Sequence, residues 1–185
     1  DPIGRCSGRD RRNPSRPSVA LLMRLRLTQT ALLLALCLIT ACSPPMMGAR
    51  RADAPIASTT RFEAARFAGP WVMRHAIDRT APRTVSFEED SGQIIGLRYV
   101  DGSGQRMALT SDGPHPARFT DARGRALWVL WVDDDYRTTL LGAPDGRLAW
   151  IIDRRTTGGA DRIDAALRLA AANGYDPNDF IALNP

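Results

Sequence analysis

The chain has 185 residues, 44% of them hydrophobic and 24% charged, with a formal net charge of +5, a composition that suits one globular domain with a terminal appendage. Residues 1–42 carry seven Arg against two acids, while residues 43–185 carry 18 of each, so the basic surplus belongs to the leading segment and the rest lacks the footprint that nucleic-acid binding requires. Cys6, Cys37 and Cys42 all fall in that same segment, which excludes a disulfide framework or a cysteine-based metal site from the remainder.

Residues 1–22 are rich in Arg, Ser and Pro without periodicity and read as an upstream extension with no structural role. Residues 23–41 form a secretory signal: Arg24 and Arg26 make a positive start, and the apolar run Ala31–Thr40 follows. That run is well short of the roughly 20 residues that span a bilayer. Leu38-Ile39-Thr40-Ala41-Cys42 resembles the bacterial lipobox, which makes Cys42 the acylated residue. Several buried acyl chains on one cysteine meet the requirement of stable anchoring, because a single chain binds only marginally. By resemblance to lipoprotein sorting, Ser43 after the cysteine directs the anchor to the outer membrane. Residues 42–59, with Pro44, Pro45 and Pro55, read as the anchor and a flexible tether, leaving residues 60–185 as the folded domain.

Thr60–Phe67 reads as a short helical turn leading into Ala68-Gly69-Pro70-Trp71. Apolar runs of strand length follow at Trp71–Ile77, Arg83–Glu88, Gln93–Val100 and Arg106–Thr110, with a weaker one at Ala117–Thr120. Asp, Gly, Ser and Pro clusters separate them. Ala126–Val132, Tyr136–Leu141 and Arg147–Asp153 complete the set, joined by links too short for a crossover helix, so they pair antiparallel. The near-continuous hydrophobicity of Ala126–Val132 predicts that both of its faces are covered. Eight antiparallel strands in sequence order predict an all-β, eight-stranded up-and-down barrel. Beyond it, Ile163, Ala166, Leu167 and Ala170 at helical spacing predict one C-terminal α-helix packed outside, with Asp161 as its cap and Gly174 past its end. The segment Tyr175–Leu183 is expected to add a last extended piece.

Four motifs in this order resemble the lipocalins, and among them the bacterial outer-membrane lipocalin lipoproteins: Gly69-Pro70-Trp71, Asp133-Asp134-Asp135-Tyr136, the strand Leu148–Arg154, and Gly174–Ile181. The resemblance implies that Arg154 lies across the indole of Trp71 at the closed end of the barrel. Gly69, Trp71, Tyr136 and Arg154 are then structural signatures and not ligand contacts. Two features depart from the family pattern. Val72 stands where an aromatic residue commonly follows the Trp, and the link Asp78–Pro82 is shorter than the usual lid loop.

No catalytic residues, cofactor or metal ligands are expected: the chain lacks HExxH, Gly-x-Ser-x-Gly and phosphate-cradling glycine motifs. His115, between two prolines, reads as a solvated loop residue, and Asp133–Asp135 as a solvated hairpin turn. His75 shares strand parity with Trp71 and Met73 and is expected to point inward, either as a satisfied residue of the barrel wall or as a polar tip on a ligand headgroup. With Met73, Leu97, Tyr99, Met107, Trp128 and Leu130 it forms the expected ligand-binding set. The function this implies is a lipid-anchored envelope lipocalin that stores or transports a small hydrophobic ligand, a fatty acid or a lysophospholipid. The alternative is an envelope structural or interaction protein whose barrel is filled by its own side chains. An enzyme would need a buried acid, base or Arg deep in the barrel. The sequence leaves the oligomeric state open.

Overall fold

The structure is a computed structural model that describes residues 48–100 and 104–183. The expected extension and signal, and Cys42, expected to be acylated, lie outside the described residues. A helical turn, α1 (Ala64–Phe67), leads into β1 (Gly69–Ala76) through Gly69, whose φ of +93° only glycine adopts at little cost. Then follow β2 (Thr84–Asp90), β3 (Gln93–Tyr99), β4 (Arg106–Asp112), β5 (His115–Asp121), β6 (Ala126–Val132), β7 (Thr138–Gly142) and β8 (Ala149–Asp153). Each strand pairs antiparallel with its sequence neighbour, and β1 pairs with both β8 and β2, which closes the barrel. Helix α2 (Ala160–Ala172) lies outside, and a two-residue β9 (Ile181–Ala182) adds to the outer side of β1. The weak run at Ala117–Thr120 is thus a full strand. His115 starts it and is exposed, so it lies in a strand and not in a loop.

Strand direction defines two ends. At the closed end, Phe67, Trp71, Phe87 and Phe119 are all buried, with Phe67 centred 4.7 Å from Phe87 and 5.2 Å from Trp71. Arg154 seals this stack: its Cζ lies 3.7 Å from the centre of the Trp71 ring. The guanidinium also donates to the carbonyls of Pro70 and Arg66 at 2.8 Å and of Ala68 at 3.0 Å. The Trp71 Nε1–H donates to the Phe67 carbonyl at 2.9 Å. A charged group satisfied by backbone oxygens and an aromatic face can remain at a barrel's end without a carboxylate partner.

A second apolar layer lies outside the sheet. Ile163, Ala166 and Ala170 of α2 cover Leu140 and Ile151, so β7 and β8 are buried on both faces. The same layer reaches Leu130 of β6, which accounts for that strand's unbroken hydrophobicity. Asp161 does not cap α2. The N-cap is Gly159, at φ +72° and without a side-chain cap, and a Cβ there would collide with the Arg162 guanidinium. That guanidinium bridges the helix to the barrel, reaching Asp153 Oδ2 at 3.2 Å and Thr138 Oγ1 at 2.7 Å.

Two further expectations need correction. Asp133 is buried, and its Oδ1 accepts the backbone N–H groups of Arg137 and Thr138, each at 2.6 Å. Those bonds organise the turn in which Tyr136 takes φ +58°. Asp134 and Asp135 alone are exposed. Residues 48–59, expected as tether, form a strap laid along the domain. The Ala49 N–H donates to the Gly146 carbonyl at 2.9 Å, Ala57 to Asn173 Oδ1 at 2.9 Å, and Thr59 to the Val129 carbonyl at 2.9 Å. Arg50 is buried at its centre, donating to the carbonyls of Asn173 and Ala54.

Candidate functional site

The open end is bounded by the β1–β2, β3–β4, β5–β6 and β7–β8 links. Below the rim lies a cup of about 250 Å³ walled by Leu97, Tyr99, Met107, Leu109, Leu127 and Trp150. Its upper edge carries Asp121, Arg125, Asp145 and Arg147. A second, more polar compartment of about 280 Å³ adjoins it and shares Tyr99, Arg147, Leu148 and Trp150, with Asp78, Thr80 and Gln105 on its far side. Each is slightly smaller than the roughly 300–1,000 Å³ of common small-molecule pockets. The aromatic stack at the closed end sets this limit, because it fills the lower half of the barrel.

The polar groups at the edge are organised. Burial raises the Asp121 carboxyl, but hydrogen bonds outweigh it and hold the group below its ordinary value: Arg125 donates from its backbone N–H at 2.8 Å and its Nε at 2.7 Å, and the Arg123 N–H at 2.9 Å. Asp121 is therefore ionised and fixes the stem of Arg125 at the cup's edge. The β7–β8 wall is pinned from behind by Tyr175. Its hydroxyl donates to the Ala143 carbonyl at 2.7 Å and accepts the Ala143 N–H at 2.9 Å. Burial pushes that phenol up to about 12, so it remains a donor.

Of the seven residues expected to contact ligand, Leu97, Tyr99 and Met107 lie together in the cup wall. Met73 points inward but is fully buried in the packed core below the cup. His75, Trp128 and Leu130 do not face the interior. A bulge between Met73 and His75 flips the parity of β1, so Ala76 points inward and His75 pairs with Ile151 on the outer face. In β6, Leu127 and Val129 belong to the inner core, while Trp128 and Leu130 belong to the layer beneath α2. Trp128 is covered by the Arg118 guanidinium, 4.1 Å from its ring centre. Leu109, Leu127, Trp150 and the charged edge were missed. Their signal was the alternation of β4, β6 and β8; in β6 and β8 the covered outer faces obscure it, whereas in β4 Met107 and Leu109 alternate with exposed Arg106, Ala108 and Thr110.

His75 Nδ1 is buried and has no hydrogen-bond partner among the described residues. Burial chiefly, then the charge of Arg74, lower its pKa from 6.5, against an opposing pull from Asp164. Its folded-state affinity for a proton is therefore below that of the unfolded chain, so the unfolded state takes up more protons as pH falls through that value, and stability falls with it. Urea midpoints measured at about pH 7.5 and about pH 5.5 should drop on acidification, and His75→Leu should drop less. Equal drops would contradict this placement of His75.

The family model described as a lipocalin-like domain matches residues 76–185, more than half of the chain. The chain belongs to the lipocalin-like family. This lipocalin also resembles a solved structure titled as the major allergens, Per a 4, from cockroaches. The TM-score is 0.53 at 12% identity, over 72% of this chain and 96% of the allergen, a likeness of fold. No curated protein sequence matches significantly. The matched fold is that of proteins that generally bind small hydrophobic ligands. Among the described residues no cluster of three His, Cys, Asp or Glu side chains could hold a metal ion.

Proposed function

We propose that this lipocalin is anchored in a bacterial cell envelope through acylated Cys42, at the outer membrane facing the periplasm, and binds a fatty acid or lysophospholipid for storage or transport. The observation that carries this reading is the paired cup. An apolar compartment walled by Leu97, Met107, Leu109 and Leu127 opens beside a polar one, with Arg125 and Arg147 at the edge. An acyl chain entering the first leaves water at about 25 cal/mol per Å², while an anionic or zwitterionic head stays at the guanidinium edge, where charge-assisted hydrogen bonds form. The limited volume favours a ligand whose chain is only partly enclosed.

Residues 46–185 form a compact unit of their own and include the strap. Delipidated, this unit is titrated with a long-chain fatty acid and with a lysophospholipid while Trp fluorescence is followed, Trp150 standing in the cup wall. Saturable binding with Kd near about 1 μM, equivalent to about 8 kcal/mol, is the expected result. No binding of either ligand to a folded barrel would overturn the carrier reading. It would favour the interaction protein, which the aromatic filling of the closed half would suit.

A further inference from the structure

The strap fixes where the domain is suspended. Gly48 sits against the β7–β8 hairpin so closely that a Cβ on it would collide with Gly146, and a Cβ on Gly146 would lie 2.7 Å from Arg50 Cβ. Arg50 and Tyr175 form a β-bridge, the Arg51 N–H donates to the Gly174 carbonyl at 2.9 Å, and Arg50 Nη1 reaches the Pro144 carbonyl at 3.4 Å. The chain therefore joins the domain at the rim of the cup, because Asp145, Arg147 and Leu148 of that same hairpin line it. Cys42 is six residues earlier in sequence, and six residues span at most about 20 Å whatever path they take.

The rim also has the chemistry of a lipid-facing surface. Its four links, at residues 77–83, 100–105, 121–125 and 143–148, carry five Arg against four Asp. The closed-end turns at 90–93, 112–115 and 133–137 carry five Asp against one Arg. Val100, 52% exposed, stands at the rim end of β3. Arginines over an anionic leaflet gain electrostatic attraction, whereas the aspartate-rich turns are repelled, although Arg66 and Arg154 stand beside them.

From these placements we propose that the strap holds the open mouth of the cup against an anionic phospholipid leaflet, so that ligand passes between bilayer and cup without crossing open water. This rests on the proposed anchoring through Cys42. The mouth is the membrane-docking surface, and the closed end points away from the leaflet.

The test uses the full chain, acylated in a bacterial host and reconstituted into vesicles of phosphatidylethanolamine and phosphatidylglycerol. It is compared with the same chain carrying about twelve inserted Gly and Ser residues after Pro45, a flexible spacer that frees the domain from the surface. Amide hydrogen exchange is followed in both. The links at 77–83, 121–125 and 143–148 should exchange about threefold or more slowly with the native tether than with the lengthened one. The turns at 90–93, 112–115 and 133–137 should exchange alike in the two. Equal rim exchange, or protection of the closed-end turns instead, overturns the orientation. Co-sedimentation with vesicles reads the anchoring separately: protein left in the supernatant overturns the anchoring and the docking together.

Discussion

Trp71→Ala lowers the stability of the domain by about 3–5 kcal/mol, the usual cost of deleting a fully buried indole. Trp71 has no exposed surface, packs on Phe67, donates to the Phe67 carbonyl and receives the Arg154 guanidinium on its face. Its loss removes apolar contact and leaves Arg154 over a void, held only by backbone carbonyls. Domains of this size are stable by about 5–15 kcal/mol, so the variant is close to unfolding. Trp71→Phe keeps a ring under Arg154 but loses the hydrogen bond from Nε1, and should cost less than half as much. Urea midpoints of the three proteins check the order, and a Trp71→Ala midpoint equal to the native one would contradict the closed-end account.

Arg162→Met is expected to cost about 3–5 kcal/mol for a different reason, since breaking a buried ion pair leaves one charge unpaired. The Asp153 side chain is 1% exposed and that of Arg162 is 17% exposed, with 3.2 Å between Arg162 Nη2 and Asp153 Oδ2. Once Arg162 is removed, Asp153 retains the Thr138 hydroxyl at 2.5 Å and the Arg155 N–H at 2.7 Å, neither of which neutralises it. Adding Asp153→Leu should recover most of the loss, because a buried pair replaced by apolar groups is often close to neutral. A double variant no more stable than the single one would show that Asp153 is not the source of the cost.

The fold was legible in this sequence because its punctuation is strong. Runs of Val, Ile, Leu and Trp end at Asp, Gly and Pro clusters, and every link is too short for anything but an antiparallel neighbour. Helix α2 followed from Ile163, Ala166 and Ala170 on one face, and those residues are buried. Facing was the unreadable quantity. The inward placement of His75 rested on unbroken alternation from Trp71, and one extra residue after Met73 reversed it. Trp128 and Leu130 were indistinguishable from Leu127 and Val129 because α2 covers the outer face of the same strand. The strap was missed because small residues and prolines carry no periodic signal. What seats it is Arg50 and a set of backbone N–H groups whose partners, at Asn173, Pro144, Gly146 and Val129, are distant in sequence. Asp133 looked like its neighbours and differs only in the N–H groups the turn aims at it.

The measurement that bears most directly on the cup is calorimetric binding of a lysophospholipid to residues 46–185 carrying Leu97→Trp, beside the native unit and His75→Leu. Leu97 is 1% exposed and lies in the cup wall, opposite in facing to His75. A larger side chain there occupies the space an acyl chain would enter and should weaken binding at least about tenfold, or about 1.4 kcal/mol. His75→Leu, on the outer face, should bind as the native unit does. Native affinity in Leu97→Trp, or loss of binding in His75→Leu with the barrel intact, would place the ligand elsewhere and contradict the account.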